Sequence, residues 1–346
     1  MKKILSISVA AYNTEECLNR CLDSFLIKEI MGEIDVIIVN DGSVDHTKEI
    51  AEEYQAKYPG VFRVINKENG GHGSTINASV EIAKGEFFKT VDSDDWVESK
   101  GLIELVSFLS DSNADIVFSP YYEIDAKSLN KTRKEFVKDK IGFVGKEIGV
   151  ESVADQLIPC MHTMTIRTDL IRRSTYRLDH NCYYVDAEYV AYYLINAKKV
   201  ALLEQPVYDY LLGTETQSMN VRQLQKNRND HYRVCQSLIS FYEAEFGMMD
   251  LYMRNLLQRY VTNIMLTEYR LLLSLQNSNE SKVEISNFDT YLHDHSKDIY
   301  ENVIVEGRSY KSGSIEFISI MRRIRFTGYS FFHGILKNLF YRKLSL

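Results

Sequence analysis

Apolar and polar positions change period block by block through roughly the first hundred residues. Residues 4–10 form a short β-rich run, after which Asn13 is placed to cap a helix with Glu16 at the capping-box position. Leu18, Cys21, Leu22, Phe25 and Leu26 then fall at i, i+3, i+4, i+7 and i+8, which makes one apolar stripe. Residues 34–39, IDVIIV, are apolar on both faces and predict a strand covered on both sides within a parallel sheet. A polar helix over about residues 46–58, a strand over 61–65, a glycine-rich loop, a helix over about 74–84 stopped by Gly85 and a strand over 87–91 complete the pattern. This order predicts an α/β protein with a mainly parallel central sheet. Ligands of such sheets bind beyond the carboxyl ends of the strands.

The polar signatures all sit just after those strands. They are Ala11, Tyr12 and Asn13; Asn40, Asp41, Gly42 and Ser43; Asn69, Gly70, Gly71, His72 and Gly73 following Lys67; and Asp92, Ser93, Asp94 and Asp95. Singly each reads as a turn or a helix start; together they are expected on one rim. Asp92, Asp94 and Asp95 repel one another within four residues. A divalent metal carrying a ligand's phosphates would offset them, and a solvated turn capping a helix near Glu98 is the alternative. The glycine loop lacks a dinucleotide fingerprint, since Ile76 stands at the third glycine position, and no Gly-Lys-Ser/Thr follows for a Walker loop. It still permits close approach of backbone to a nucleotide, with Asp41 able to accept from a base or ribose.

As an ordered set, VAAYN, NDGSVDHT, KENGGHGSTINASVEIAKGEFFKTVDSDDW and YYVDAEYVAYYLINAKKVALLEQPVYDY resemble the family 2 glycosyltransferases with a GT-A fold, over roughly residues 1–215. Ala10 departs from a proline the family often has. The resemblance implies a UDP-sugar donor and Mn²⁺ or Mg²⁺ as cofactor. It implies that Tyr12 and Asn13 border the base, that Asp41 recognises uracil or ribose, that Asp92 contacts ribose or a metal-bound water, and that Asp94 is the direct metal ligand. Lys67, Asn69, Gly70, Gly71, His72, Gly73 and Ser93 are expected on the nucleotide-sugar side. It matches Asp186 to the general base, with Val185 in the usual glutamate position, and Glu188 stands in reserve. Read from its own surroundings, Asp186 is equally a carboxylate favoured at the start of an apolar helix. His162, Trp96 and Asp95 are expected on the acceptor or sugar side. His180 and the pairs Tyr121–Tyr122 and Tyr183–Tyr184 have structural readings beside the ligand one.

Composition narrows the picture. A net charge of −7 argues against wholesale nucleic-acid binding, and 45% apolar with 26% charged residues is ordinary for a globular chain. No run of about 18 apolar residues is present. The run after Lys2 and Lys3 is too short for a secretion signal and reads as a strand. Five cysteines without a CxxC pair fit reduced thiols. Residues 125–140 read as a solvated loop or exposed hairpin. Beyond Thr214 helical patterns take over, at about 221–246 and 251–275 with a Ser/Asn-rich break at 276–281, so the expected domains are 1–214 and a helical 215–346. Residues 315–346 carry Arg322, Arg323, Arg325, Lys337, Arg342 and Lys343 against Glu316 alone, which suits an anionic membrane surface, or else packed helices or a homo-oligomer contact. The expected function is a metal-dependent, inverting transfer of sugar to a surface-polysaccharide or lipid-linked acceptor at the cytoplasmic face of the membrane. A non-catalytic nucleotide-sugar-binding subunit and a glycoside hydrolase are the alternatives.

Overall fold

A computed structural model describes residues 2–138, 142–213, 220–309 and 313–335, without the side chains of 305–309 and 313–316. The chain divides into two compact units, Met1–Thr214 and Glu215–Leu346. In the first, β1 (Leu5–Ala11), β2 (Ile34–Asp41), β3 (Phe62–Lys67) and β4 (Phe87–Asp92) are interleaved with α1 (Leu18–Asp23), α2 (Thr47–Lys57) and α3 (Gly71–Ile82). These strands pair in parallel in the order β3-β2-β1-β4. The sheet continues through β10 (Met164–Arg167), β6 (Ile116–Phe118), β11 (Lys199–Leu202) and β9 (Glu147–Gly149), with antiparallel pairs at β4–β10, β10–β6 and β11–β9. The sheet is therefore mixed, with its parallel block at the amino-terminal side. α4 (Ser99–Leu109) lies with α1 on the face bearing Leu5, Ile7, Val9, Val36 and Ile38, all fully buried. The opposite face carries Ser6 and Ser8, small enough to let α3 approach, and the Ser8 and Ser79 hydroxyls meet at 2.7 Å.

Two helix starts differ from expectation for the same reason. α1 begins at Leu18, not at Asn13, because Asn13 turns the chain in the left-handed region (φ 52) and its Oδ1 accepts from the Val44 amide at 2.9 Å instead of from its own helix. α3 begins at Gly71, three residues early, because Asp41 on another strand accepts from the Gly70 and Gly71 amides. A partner from elsewhere in the chain satisfies amides that local capping would otherwise serve.

Asp35, at the start of β2, is buried against Arg63 of β3 in a two-pronged contact at 2.7 Å, and also accepts from Ser6 Oγ and the Lys84 amide. Burial pushes its carboxyl up, yet the bonds from Arg63, Ser6 and Lys84 hold it below its ordinary value. A depressed folded pKa contributes stability that is present above the unfolded value and lost as pH falls through the folded one. Asp35→Asn is expected to cost roughly 3 kcal/mol of unfolding free energy at neutral pH, because it leaves Arg63 without its counter-ion. Urea titrations of both proteins should show that difference shrinking below about pH 4, the ordinary carboxylate range.

A second sheet, ordered β5-β12-β7-β8, joins β5 (Trp96–Val97), β12 (Tyr208–Leu212), β7 (Tyr121–Asp125) and β8 (Lys131–Lys134). The lysine-rich stretch after Asp125 is thus an antiparallel hairpin as far as it is described, residues 139–141 lying outside the description. α5 (Thr168–Arg173) and α6 (Asp186–Leu194) complete this unit. The second unit consists of α7 (Val221–Lys226), α8 (Arg228–Glu245), α9 (Leu251–Leu273), α10 (Ser278–His295), α11 (Lys297–Ser309) and α12 (Gly313–Arg323). The helix expected over 221–246 breaks at Asn227, and the Ser/Asn-rich break supplies Asn277, whose side chain caps α10. Between α8 and α9, buried His231 Nδ1 lies 2.6 Å from Glu268 Oε2 and 3.7 Å from Cys235 Sγ. Among the described residues no helix is long and apolar enough to cross a membrane.

Candidate functional site

The strand order reverses at β1, which has β2 on one side and β4 on the other. A reversal of this kind opens a crevice past the carboxyl ends of the two strands. Every loop singled out from the sequence sits there. Ala11 is buried at the end of β1, opposite Asn40, and the next residue, Tyr12, leaves 52% of its surface exposed, so an aromatic face stands open at the rim. The Asn13 amide donates to Ser43 Oγ at 3.0 Å, which joins the first loop to the second.

Asp41 organises the glycine loop. Its Oδ1 accepts from Lys67 Nζ at 2.6 Å and from the Gly70 amide at 3.0 Å, and its Oδ2 accepts from the Gly71 amide at 2.8 Å. The Asn69 amide group donates to the Asp41 carbonyl at 3.0 Å, and Lys67 also donates to Ser74 Oγ at 2.9 Å. Lys67 is therefore an internal cation of the loop. Two lone pairs per oxygen leave Oδ2 one acceptor position beyond these bonds. Gly42 has φ +74, and a Cβ there would come within 2.8 Å of the Asn69 nitrogen, so the second and third loops meet through a bare backbone.

Gly73 answers to the protein itself. A Cβ at Gly73 would stand 2.3 Å from the Asp179 carbonyl oxygen, and the Gly70 carbonyl accepts from the Asn181 amide at 2.7 Å. The same segment leads into α6. Gly73→Val is expected to push residues 178–182 outward, lowering stability by about 1–3 kcal/mol and weakening nucleotide binding with it; thermal unfolding and a UDP titration measure the two effects. Asp186 opens α6 with an exposed position, after Tyr184 turns the chain at φ 66. Glu188 is not a substitute for it: the side chain is fully buried and its Oε2 accepts from the Asp179 amide at 2.9 Å, fastening the segment to α6. On a helix two residues separate side chains by about 200°, which turns one outward and the other in.

The three aspartates separate just as clearly. Asp92, partly exposed, places Oδ1 3.2 Å from His72 Nε2, and its amide donates to the Tyr208 hydroxyl at 3.1 Å. Burial opposes charge on His72, but Asp92, then Asp186 and Asp94, hold its pKa above 6.5, and Asp92 is correspondingly depressed by His72. Asp186 is thus within electrostatic reach of His72. Asp94 keeps an exposed side chain, while its carbonyl accepts from Arg20 at 2.6 Å. Crowding by the rim and the charge of Asp92 push its carboxyl up to about 6. Asp95 turns into the fold: Tyr208 donates to its Oδ2 at 2.6 Å and the Leu211 amide to its Oδ1 at 2.8 Å. It neither caps α4, whose N-cap is Glu98, nor opens toward an acceptor. Ser93 is buried between them.

Trp96 lies under the Arg20 guanidinium, 4.1 Å from the ring centre, which occupies one of its faces. His162 stands in an aromatic group, 4.3 Å from Tyr210, 4.7 Å from Tyr208 and 5.3 Å from Tyr121 between ring centres. Burial lowers its pKa to about 4, so it is neutral at ordinary pH. His180, by contrast, is exposed and faces Asn77 at 3.3 Å. The residues that sequence reasoning missed are Tyr208, which links Asp92 to Asp95, and Lys89, fully buried in β4 with Nζ donating to the His162 carbonyl at 2.7 Å. A lysine inside the apolar run FFKTV was the available signal for Lys89.

A divalent ion fits this donor set. Asp92, Asp95 and His162 bring ligand atoms within 4.8 Å of one another, Asp95 through a carboxylate that also accepts from Tyr208 and Leu211, and the exposed Asp94 is its neighbour in the chain. Burial, and after it the neighbouring like charges, push the Asp94 and Asp95 carboxyls upward, and a cation among these carboxylates would relieve both.

Residues 6–173 match the family described as Glycosyl transferase family 2. EpsH of Bacillus subtilis (strain 168), a glycosyltransferase by name, is 39% identical over 139 residues, which span 39% of this chain and 40% of that protein. The chain covers 61% of EpsJ of the same strain at 28% identity, so it spans less than two thirds of each of these relatives. Among solved structures, S. aureus TarS aligns with a TM-score of 0.62 at 20% identity, over 87% of this chain and 50% of TarS. TarS 1–349 in complex with UDP-GlcNAc aligns at 0.53 and 18% identity, over 89% of this chain and 92% of that one. The mannosyltransferase PcManGT from Pyrobaculum calidifontis, in complex with GDP-Man and Mn²⁺, aligns at 0.51 and 12% identity, over 97% and 87%. Identities this low speak to fold. With the family match over the same strands, helices and loops of the first unit, residues 6–173 form a family 2 glycosyltransferase domain, and that unit has the GT-A fold.

Proposed function

We propose that this chain transfers a sugar from a UDP-sugar to an acceptor hydroxyl in a single displacement that inverts the anomeric centre. The observation that carries the reading is the convergence, at one strand-order reversal, of an exposed Asp94, the Asp92–His72 pair and an Asp186 close enough to raise the pKa of His72. Tyr12 offers an open aromatic face to a base, and Asp41 Oδ2 retains an acceptor position near the glycine loop. UDP-GlcNAc bound by TarS and Mn²⁺ bound by PcManGT support the uridine donor and the metal.

Asp186 takes the proton from the attacking hydroxyl, as a single carboxylate must in an inverting transfer. Asp94 and Asp92 would hold Mn²⁺ or Mg²⁺, which would supply positive charge against the leaving diphosphate. His72, kept more basic than an ordinary imidazole by Asp92, presents a donor on the same side. The ring group of His162, Tyr210 and Tyr121 suits the apolar face of an acceptor sugar, because stacking needs flat surfaces of this kind. The acceptor we favour is a lipid-linked or surface-polysaccharide glycan reached at the cytoplasmic face of a membrane, by a protein acting alone or as a homo-oligomer.

A donor-hydrolysis screen across UDP-, GDP- and dTDP-sugars with Mn²⁺ tests this. Release of UDP, stimulated by the metal, is expected. Failure of Mn²⁺ to strengthen UDP binding in a direct titration would remove the metal-dependent reading.

A further inference from the structure

Residues 329–335 are helical and carry their bonds on one side and their largest free apolar surfaces on the other. Inward, Tyr329 and His333 are fully buried. The Tyr329 hydroxyl lies 2.7 Å from Ser281 Oγ, His333 Nε2 lies 2.8 Å from the Leu273 carbonyl, and His333 Nδ1 lies 3.0 Å from Ser278 Oγ. Outward, Phe331, Phe332 and Ile335 stay 70%, 47% and 66% exposed. The helix is anchored by its inner face, so these outer side chains contribute little to holding it in place. Ile320 and Ile324, one turn apart at the end of α12, are exposed as well. In the turn between, Arg325 and Phe326 both adopt left-handed backbone (φ 49 and 56), which buries Phe326 and leaves Arg325 outside beside exposed Arg323.

Along the sequence the charge of this segment is of one sign. From Phe317 onward the sequence carries Arg322, Arg323, Arg325, Lys337, Arg342 and Lys343 and no Asp or Glu, in a chain of net charge −7. Arg322 is turned inward, bonded to Asp289 at 2.6 Å. Lys337, Arg342 and Lys343 lie outside the described residues. We infer that the face bearing Phe331, Phe332 and Ile335, flanked by Arg323 and Arg325, docks on the headgroup layer of an anionic lipid bilayer. Phenyl and branched side chains partition to the boundary between headgroups and acyl chains, and guanidinium groups pair with lipid phosphates. A second copy of the chain fits worse. A two-fold contact sets the same patch against itself, and this segment has no acidic side chain with which to meet the arginines of a partner.

The inference stands apart from the transfer reading and is tested without turnover. The full chain is floated with vesicles of phosphatidylglycerol and phosphatidylcholine, and with phosphatidylcholine alone, at low and high salt. Binding to the anionic vesicles is expected to exceed binding to the neutral ones by about tenfold or more and to fall with salt. The double variant Phe331→Ser/Phe332→Ser should lose roughly tenfold of it, and Arg323→Glu/Arg325→Glu should remove most of the preference for anionic lipid. Circular dichroism and UDP binding like those of the unaltered chain keep both comparisons within folded protein; a phenylalanine variant that unfolds is replaced by Ile335→Asn. Absence of vesicle binding, equal binding to neutral vesicles, or binding indifferent to the phenylalanines would overturn the inference. So would a dimer in sedimentation equilibrium that the phenylalanine variant dissolves.

Discussion

Asp94→Ala is expected to abolish the gain in UDP affinity that Mn²⁺ confers and to lower turnover by roughly a hundredfold to a thousandfold, in the range seen when one group stabilising developing charge is removed. The fold should survive intact. The Asp94 side chain is exposed, its structural bond to Arg20 runs through its carbonyl and is kept in alanine, and its carboxylate adds to the repulsion that raises Asp95. Melting temperature should therefore hold or rise slightly while metal-dependent binding is lost. Isothermal titration of UDP with and without Mn²⁺ decides the matter. A folded Asp94→Ala protein with undiminished metal enhancement would return the aspartate cluster to a solvated turn.

Asp186→Asn should act on a different quantity. Asparagine keeps the shape and the place at the start of α6 but cannot take a proton, so kcat should fall by about a hundredfold to ten-thousandfold while UDP affinity stays within about twofold. The same substitution removes one of the charges that raise the His72 pKa, so the pKa of His72, followed by NMR, should move down. The contrasting variant is Glu188→Gln, which disturbs a buried carboxylate bonded to the Asp179 amide and should show itself in stability first. Full turnover by Asp186→Asn in a purified single chain would refute the base assignment. The subunit alternative would gain if the unaltered chain released no UDP until a partner was supplied.

These two variants probe residues that were legible to different degrees. The run of strand and helix periods through β4 was readable because each block buries a face of definite period: IDVIIV can only be a covered strand, and Leu18, Cys21 and Leu22 lie on one helical stripe. The loops after the strands were readable too, since polar clusters at strand ends have a fixed side of a parallel sheet. The roles within the clusters were not. Asp92, Asp94 and Asp95 are alike in sequence and differ only in their neighbours: His72, open surface, and Tyr208 with Leu211. Tyr208 follows Asp95 by 113 residues, and nothing local indicates that meeting.

Sequence alone determined the class of fold, the strand-end rim and the residue types gathered on it, because hydrophobic period and turn chemistry act within a few residues. Tertiary structure decided which of those residues are bonded into the fold and which stand at the surface. Asp41 and Lys67 are bonded into the glycine loop, Gly73 admits the Asp179 carbonyl, Glu188 is buried as a fastening, and Asp186 and Asp94 are exposed. The physical reason is that a buried carboxylate needs donors, and the donors here arrive from strands and loops far away in the chain, where no local pattern records them.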